Sequence, residues 1–291
     1  MNLSIAELTH RGLVCLSGTD KISFLQGLVT NDVKKVSTTH SIYTALLTPQ
    51  GKFLHDLFIT ETWTGDWLIE CERPEDLLKR LNLYKLRSEV QLTYLRDYTI
   101  YAVWGQDLPL GEVGAGDYVI KDPRLPNLGQ RWYRSCHDFA VKHVVNLKTY
   151  DQHRIVLGVA DGSRDIPVDR GIILECNFDE LGAIDWQKGC YMGQELTART
   201  RYRGVVRKRM LPVCIKGLLP DFGTVILDQK ENPVGEIRTT VKDYGLALLR
   251  LSVFKDKTFP LQCSQSLLTP FIPDWMPLNL LSEAEEEEGG F

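Results

Sequence analysis

The chain has 291 residues, which is long enough for about two domains with a substantial buried core. Hydrophobic residues make up 43% of it and charged residues 25%, and the net charge at pH 7 is −4. These values are ordinary for a soluble globular protein, and nothing in them indicates a surface for nucleic acid or for an anionic membrane.

The cysteines and the N-terminus bear on the compartment. The seven cysteines are scattered, odd in number and without a C-x-x-C pair, which favours a reducing compartment over a disulfide framework, a zinc site or a resident iron–sulfur cluster. No apolar run approaches the roughly 20 residues that span a bilayer, and the first residues lack the pattern of a secretory signal. We therefore expect a cytoplasmic protein, or a mitochondrial matrix protein whose presequence has been removed.

The N-terminal two thirds of the chain mix short strands with helices. The predicted elements are, in order, a strand at 13–16, a helix at 22–29, a hairpin of 43–47 and 53–60, a strand at 67–71, a helix at 75–82, strands at 90–95, 99–104 and 118–120, and a helix at 150–157. Gly158 is expected to end the last helix, and a loop follows it. This rhythm predicts an α+β domain with mainly antiparallel sheets.

From residue 210 onwards the pattern changes to short β runs separated by Gly, Pro and Asp turns. The predicted strands are 213–215, 224–227, 234–239 and 245–251. Such a series predicts a small all-β barrel. The run of glutamates near the C-terminus predicts a disordered acidic tail at 281–291.

The best candidate for a reactive residue is Cys190. A helix is predicted to begin after Gly193 and to end at Gly204, which places Cys190 just before a helix N-terminus with Lys188 two residues away. Both features stabilise a thiolate, and such settings lower the pKa of a cysteine from about 8.5 to roughly 3.5–7.5. The alternative is that Cys190 is a small buried hydrophobic residue, as most free cysteines are.

Two stretches of the chain resemble known family motifs. The first is similar to the signature of the YgfZ-type folate-binding proteins, and it consists of Lys188, Gly189, Cys190, Tyr191, Met192, Gly193, Gln194 and Glu195. The second, L-S-G-T-D at 16–20 followed by F-L-Q-G-L-V-T-N-D at 24–32, resembles the opening motif of the aminomethyltransferase superfamily. That superfamily contains the YgfZ-type proteins and the T-protein of the glycine cleavage system.

The resemblance implies a fold and a domain division. It implies a folate-binding, T-protein-like body with ferredoxin-like subdomains at 1–208 and a C-terminal β-barrel at 209–280. It also implies tetrahydrofolate, or another reduced folate, as the cofactor, with no resident metal.

The function that the resemblance implies is that of a folate-dependent accessory protein in the assembly or repair of iron–sulfur clusters, particularly four-iron clusters. Its partners would be assembly proteins or four-iron client enzymes, including enzymes that modify tRNA, without direct contact with nucleic acid or membrane. Cys190 would carry the chemistry, by contacting a cluster, exchanging sulfur or taking a one-carbon unit from folate.

Two acids are implied folate contacts. The hairpin sequence G-K-F-L-H-D resembles the superfamily's G-x-x-x-D-D pattern, so that Asp56 matches the second acid and His55 replaces the first. Glu175 matches the glutamate that holds the pteridine ring in T-proteins, and a carboxylate can accept two hydrogen bonds from such a ring. We expect both acids in one cleft. The alternatives are a local hydrogen bond between His55 and Asp56, and an ordinary exposed acid at a strand end for Glu175.

A basic cluster follows the signature and consists of Arg199, Arg201, Arg203, Arg207, Lys208 and Arg209. Arg199, Arg201 and Arg203 are interpreted as the site for the glutamate tail of a folate, although an acidic partner or a solvated basic face explains them as well. RNA binding is a third class of function, supported by this cluster alone. The remaining alternative is a true aminomethyltransferase of the T-protein type, against which the K-G-C signature and His55 both weigh.

Overall fold

The computed structural model describes residues 2–109, 113–135, 141–142, 144–204, 206–255 and 259–277. The chain divides into two compact units. The first comprises Met1–Tyr150 and Leu181–Gln194, and the second comprises Asp151–Glu180 and Glu195–Phe291. The predicted tail at 281–291 lies outside the described residues, and the predicted boundary at residue 208 stays a prediction.

The first unit is built on two five-stranded sheets. Its strands are β1 (Ser4–Glu7), β2 (Gly12–Ser17), β3 (Ile42–Leu47), β4 (Phe53–Glu61), β5 (Trp67–Cys71), β6 (Gln91–Leu95), β7 (Tyr98–Trp104), β8 (Tyr118–Lys121), β9 (Gln130–Ser135) and β10 (Val144–Val145). One sheet has the order β3-β4-β5-β2-β6 and is antiparallel throughout. The other has the order β10-β1-β7-β9-β8, in which only β10 and β1 run parallel.

Apolar residues lie on both faces of the second of these sheets. Along β7, Ile100 and Ala102 belong to one core cluster, and Tyr101 and Val103 belong to the cluster on the opposite face. Successive side chains of a strand point to opposite faces, so a strand covered on both sides reads as a continuous apolar run. The hairpin of β3 and β4, predicted from its turn sequence, is confirmed and is buried along almost its whole length.

The helices of the first unit are α1 (Lys21–Gln26) and α2 (Pro74–Lys85), with 3-10 turns at Val33–Lys35 and Pro126–Leu128. Helix α2 begins with Pro74 and has Glu75 and Asp76 in its first turn, which is the favourable arrangement at a helix N-terminus. Helix α1 is shorter than predicted because it ends at Gly27, whose carbonyl accepts a hydrogen bond from the backbone N–H of Met192.

The second unit contains a closed barrel with the strand order β11-β14-β13-β12-β15-β16. The strands are β11 (Lys208–Lys216), β12 (Val225–Leu227), β13 (Pro233–Val241), β14 (Tyr244–Arg250), β15 (Leu261–Cys263) and β16 (Ser266–Pro270). The four predicted C-terminal β runs coincide with the first four of these strands. The α+β class with a C-terminal barrel is therefore confirmed.

The remaining helices in the described part of the chain are α3 (Leu147–Val156), α4 (Gln194–Arg203) and α5 (Ser252–Lys255). Helix α3 begins three residues earlier than predicted, and Gly158 follows its end with φ +72°. Among the helices that the structure describes, none combines the length and apolar character needed to cross a membrane.

A buried ion cluster holds the segment 151–180 against the barrel within the second unit. The guanidinium of Arg154 is fully buried and pairs with Asp151 at 2.7 Å and with Asp165 at 2.6 Å. The backbone N–H of Thr239, on β13, donates to Asp165 at 3.2 Å. Because breaking a buried ion pair costs several kcal/mol, this cluster makes the segment part of the barrel's unit.

Candidate functional site

Cys190 lies on the loop 182–193, directly before α4. The loop ends at Gly193, which has φ +82°, and a Cβ at this position would lie 2.6 Å from the carbonyl oxygen of Thr48. No residue other than glycine fits both the conformation and the space. The predicted helix start after Gly193 and its end before Gly204 are confirmed.

Backbone hydrogen bonds fix this loop to the segment 26–32, which is part of the second family motif. The N–H of Met192 donates to the carbonyl of Gly27 at 3.0 Å, and the N–H of Asp185 donates to Thr30 at 3.1 Å. The hydroxyl of Thr30 donates to the carbonyl of Ala183 at 2.7 Å. The two motifs thus form one structure, in which the first supplies the cysteine and the second holds the loop that carries it.

Lys188 adds a side-chain clamp to this attachment. Its ammonium donates to the carbonyls of Val29 at 2.5 Å and Asn31 at 2.6 Å. Burial lowers the pKa of Lys188 to about 8, and the opposing charges of Asp32 and Asp185 limit the decrease. The donors of Lys188 are thus directed to main-chain carbonyls of the anchoring segment, so its role in the structure is to position the loop.

The thiol of Cys190 is exposed to solvent. Among the described cysteines only Cys214, on barrel strand β11, is also exposed. Burial raises the pKa values of the other four described thiols, which are those of Cys15, Cys71, Cys176 and Cys263. The alternative reading of Cys190 as a buried packing residue is therefore wrong. Cys136 lies outside the described residues.

His55 and Asp56 lie on opposite faces of β4 and do not bond to each other. His55 is 3% exposed, and its Nε2 lies 2.8 Å from Oδ2 of Asp76 on α2. Burial lowers the pKa of His55 to about 4, an effect that the Arg73 charge reinforces and Asp76 opposes, so the ring is neutral at pH 7. Asp56 is 1% exposed and accepts two hydrogen bonds from Arg11, at 3.2 and 3.3 Å.

Asp56 belongs to a buried cluster of six charged side chains. Its members are Arg11, Arg124, Arg131, Asp56, Glu70 and Asp122. Three positive and three negative charges balance, and the guanidiniums of all three arginines lie within 5.2 Å of the centre of the Phe58 ring. Burial alone would raise the pKa of the Asp122 carboxyl, but Arg124 and Arg131 outweigh it and lower that pKa.

The geometry tests whether the predicted folate contacts fit such a ligand. Both oxygens of the Asp56 carboxylate accept hydrogen bonds from Arg11, and one of them also lies 3.5 Å from the Tyr43 hydroxyl. The carboxylate therefore presents no exposed oxygen. Its assignment as a folate contact stays a prediction. Glu175 is half-buried in the 3-10 helix Ile173–Cys176 and lines a cavity of about 320 Å³ in the second unit. The carboxylate of Glu175 can accept hydrogen bonds from the N–H and amino groups of a pteridine ring.

The basic cluster is divided between solvent and interior. Arg199 is exposed, and Arg201 pairs with Asp179 at 2.8 Å. Arg203 belongs to α4, but its side chain lies outside the described part of the structure. Arg209 is 3% exposed and pairs with Glu180 at 2.8 Å, so it is an internal residue. In the described residues, no three His, Cys, Asp or Glu side chains are grouped so as to hold a metal ion.

Sequence reasoning missed the clamp and the buried cluster for different reasons. Thr30 and Asn31 lie within the second family motif, and their place in that motif was a signal for a role in holding the Cys190 loop. The other members of the Asp56 cluster, by contrast, come from strands β5 and β9 and from two loops, and they are separated by up to 120 residues, from Arg11 to Arg131. No spacing pattern links them.

The fold is that of an aminomethyltransferase of the glycine cleavage system. The crystal structure of the glycine cleavage system aminomethyltransferase T from Bartonella henselae superposes with a TM-score of 0.77 and 14% sequence identity, and the match covers 94% of this chain and 86% of that chain. Residues 207–278 match the family model of the CAF17 C-terminal beta-barrel domain.

Sequence relatives define the family. A Neosartorya fischeri protein is 33% identical over 90% of this chain and 73% of its own, and a Pyricularia oryzae protein is 32% identical over 95% and 85%. A Mycosarcoma maydis protein is 37% identical over 72% of this chain and 56% of its own. All three are named iron-sulfur cluster assembly factor IBA57 homolog, mitochondrial. The chain belongs to this IBA57 family, and its predicted resemblance to YgfZ-type and T-proteins is confirmed.

Proposed function

We propose that this protein is an iron–sulfur cluster assembly factor and that Cys190 is the residue that acts on the cluster. The observation that carries the proposal is the exposed thiol on a loop that Lys188 and the segment 26–32 hold in place. Cysteine thiolates are the usual protein ligands of iron–sulfur clusters. A thiol that is open to solvent and fixed in position can reach a cluster held by a partner, and the names of the relatives support the same role.

The finer parts of the proposal concern the cargo and the compartment. The clusters are four-iron clusters, the partners are assembly proteins or four-iron client enzymes, and the clients include enzymes that modify tRNA. The compartment is the mitochondrial matrix, and the word mitochondrial in the names of the relatives supports the organelle.

Of the three reactions open to Cys190, transient ligation of a cluster iron agrees best with the exposure of its thiol. The thiol gives its proton to solvent as the sulfur binds iron, and the bond breaks again when the cluster moves to its client. Sulfur exchange and one-carbon transfer both need a second reactant beside the thiol.

The proposal is tested by complementation of a strain from which the gene has been deleted. The parent gene and a Cys214→Ser variant, the matched exposed cysteine, should restore the activity of a four-iron enzyme, whereas Cys190→Ser should not. Full rescue by Cys190→Ser would remove the basis of the proposal.

Tetrahydrofolate binding is a second part of the proposal, supported by the place of Glu175 in its cavity. Bound tetrahydrofolate would supply a carrier for one-carbon units, with Glu175 on its ring and Arg199, Arg201 and Arg203 on its glutamate tail. A ligand that binds only the native state raises the thermal midpoint of unfolding. Tetrahydrofolate should therefore raise it in the parent and less in Glu175→Gln, and the absence of any shift in the parent would exclude this part.

Two rival functions make different predictions. A true aminomethyltransferase would release ammonia from an aminomethylated carrier protein in the presence of tetrahydrofolate, and we expect no such turnover. An RNA-binding module would show affinity that falls steeply with salt. The internal position of Arg209 removes one charge from the surface on which that reading depends.

A further inference from the structure

Two cations face each other across a pair of barrel strands. Strands β11 and β14 are antiparallel neighbours, and their register places Lys208 directly opposite Arg250. Successive side chains of a strand alternate between its two faces, and Leu211 and Leu249 belong to the barrel core, so Lys208 and Arg250 share the outer face. The preceding residue, Arg207, is exposed as well. Like charges directly opposite each other on one face of a sheet destabilise the pairing of the strands.

The described part of the chain contains no carboxylate that compensates this basic pair, Lys208 and Arg250. Neither side chain has a hydrogen bond or an ion pair among the described residues. Glu236 on the neighbouring strand β13 lies opposite Leu248, and it pairs with Arg238 at 3.0 Å instead. The positive charge of the basic pair is therefore open to an acidic group from outside the described residues.

The course of the chain brings its last described residues to the same end of the barrel. Strand β16 runs antiparallel to β11, so the chain moves back along β11 towards the end that carries Lys208. The N–H of Phe271 continues this pairing with a hydrogen bond to the carbonyl of Pro212 at 3.1 Å. Met276 then belongs to the same core cluster as Leu251, the residue directly after β14.

The sequence that follows supplies the acidic groups. Residues 278–291 come next, the residues at 283 and 285–288 are glutamates, and none in this stretch is a lysine or an arginine. An extended chain spans about 3.3 Å per residue, so residues 278–283 reach roughly 20 Å from the end of the barrel. Exposed ion pairs are individually weak, but a short tether gives an effective concentration in the millimolar range, at which several weak pairs together become populated.

We propose that the acidic segment 283–288 of this chain docks on the basic pair, with its carboxylates facing Lys208 and Arg250. The docking removes the repulsion between the two strands and withholds the basic pair from other polyanions, including the RNA of the rival function. It goes beyond the proposed function, since it uses neither Cys190 nor Glu175.

The test is carbodiimide coupling of the full-length protein, which joins a carboxylate carbon to a lysine nitrogen as an amide while the carbodiimide takes up water to become a urea. Mass spectrometry of the digest identifies the joined residues. Lys208 should be joined to the glutamates of the acidic segment, at least about tenfold more than Lys216, because tethered groups react at their local concentration. Lys216 is the matched control, since it is exposed at the opposite end of the same strand.

Variants separate docking from chance proximity. Arg250→Glu should lower the yield at Lys208 about fivefold, as the loss of an exposed ion pair does, whereas Lys216→Glu should leave it unchanged. Salt at about 1 M, where the Debye length is about 3 Å, should lower the yield in the parent. Equal yields at Lys208 and Lys216, or a yield that Arg250→Glu does not change, would overturn the inference.

Two further measurements do not depend on whether Arg250→Glu folds. Coupling in an equal mixture of isotope-labelled and unlabelled protein should give products within one chain, and products between labelled and unlabelled chains would overturn the inference in favour of a second copy. A full-length variant with glutamine at 283 and 285–288 should need more salt to leave a heparin column than the parent, and Lys208→Glu should remove most of that increase. An increase that Lys208→Glu leaves intact would also overturn the inference.

Discussion

Two motif-bearing regions of the first unit differ in whether their polar side chains are exposed to solvent or buried. The loop 182–193 leaves the Cys190 thiol in solvent and uses backbone groups and Lys188 to hold itself in place. The strand β4 takes Asp56 into the interior and surrounds it with a balanced set of buried charges. Both regions carry the family-like motifs described above, but only the first presents its polar side chain to solvent.

The difference shows that a motif match predicts where a residue lies in the fold better than it predicts the chemical role of that residue. Asp56 occupies the strand position that the pattern predicted, and there its partner is Arg11. The replacement of the first acid by His55 has a similar local result, because the ring is buried against Asp76. The substitutions below test whether the Asp56 region acts as a structural core and the Cys190 loop as a positioned surface.

The largest effect is expected when the buried cluster is broken. Asp56→Ala leaves Arg11 buried without its second partner, which should destabilise the protein by about 3–5 kcal/mol in urea unfolding. The control is Glu75→Ala, which breaks an exposed pair with Arg96 and should cost less than about 1 kcal/mol. Equal small effects for both substitutions would show that Asp56 is not a structural residue, and would favour its role as a ligand contact.

The next effect concerns pH and His55. A pKa lowered from 6.5 to about 4 means that the unfolded chain binds a proton between these values while the folded chain does not, so stability falls as the pH drops through this window. The loss should amount to about 3 kcal/mol in the parent and should be absent in His55→Gln. His40→Gln, at an exposed position, should retain the parent's profile. An unchanged profile in His55→Gln would contradict the burial of a neutral ring.

A third effect compares the two glycines that flank Cys190. Gly193→Ala places a Cβ against the carbonyl of Thr48 at a positive φ, whereas a Cβ at Gly189 meets open space at φ +93°. Gly189→Ala should therefore cost about 1 kcal/mol of conformational strain, and Gly193→Ala about 2 kcal/mol or more. Thermal unfolding of the two variants gives the difference, and a larger loss for Gly189→Ala would contradict the close packing of the loop's end.

Sequence patterns predicted local elements well and pairings poorly. The barrel strands β11 to β14 and the β3–β4 hairpin follow from alternation and turn residues, which are local signals. The strands β15 and β16 were missed: β15 has only three residues, Leu261–Cys263, which is too short to show a period. The contacts of Asp56 and the position of Lys208 opposite Arg250 depend on residues brought together by folding, so no signal in the chain alone could reveal them.

The smallest effect is expected at Lys188, because this residue is partly buried and belongs neither to the core nor to the exposed surface. Lys188→Met removes the donors to Val29 and Asn31, but it also removes an ammonium whose burial is unfavourable, so stability at pH 7 should change by about 1 kcal/mol or less. The pH dependence is the better measurement. Because the folded pKa is about 8 and the reference value is 10.5, the unfolded parent holds more protons between these values, and parent stability should rise with pH relative to Lys188→Met. Lys148→Met, at an exposed position, supplies the baseline. A difference that stays flat from pH 8 to pH 10.5 would mean that the ammonium is not buried in the loop's attachment.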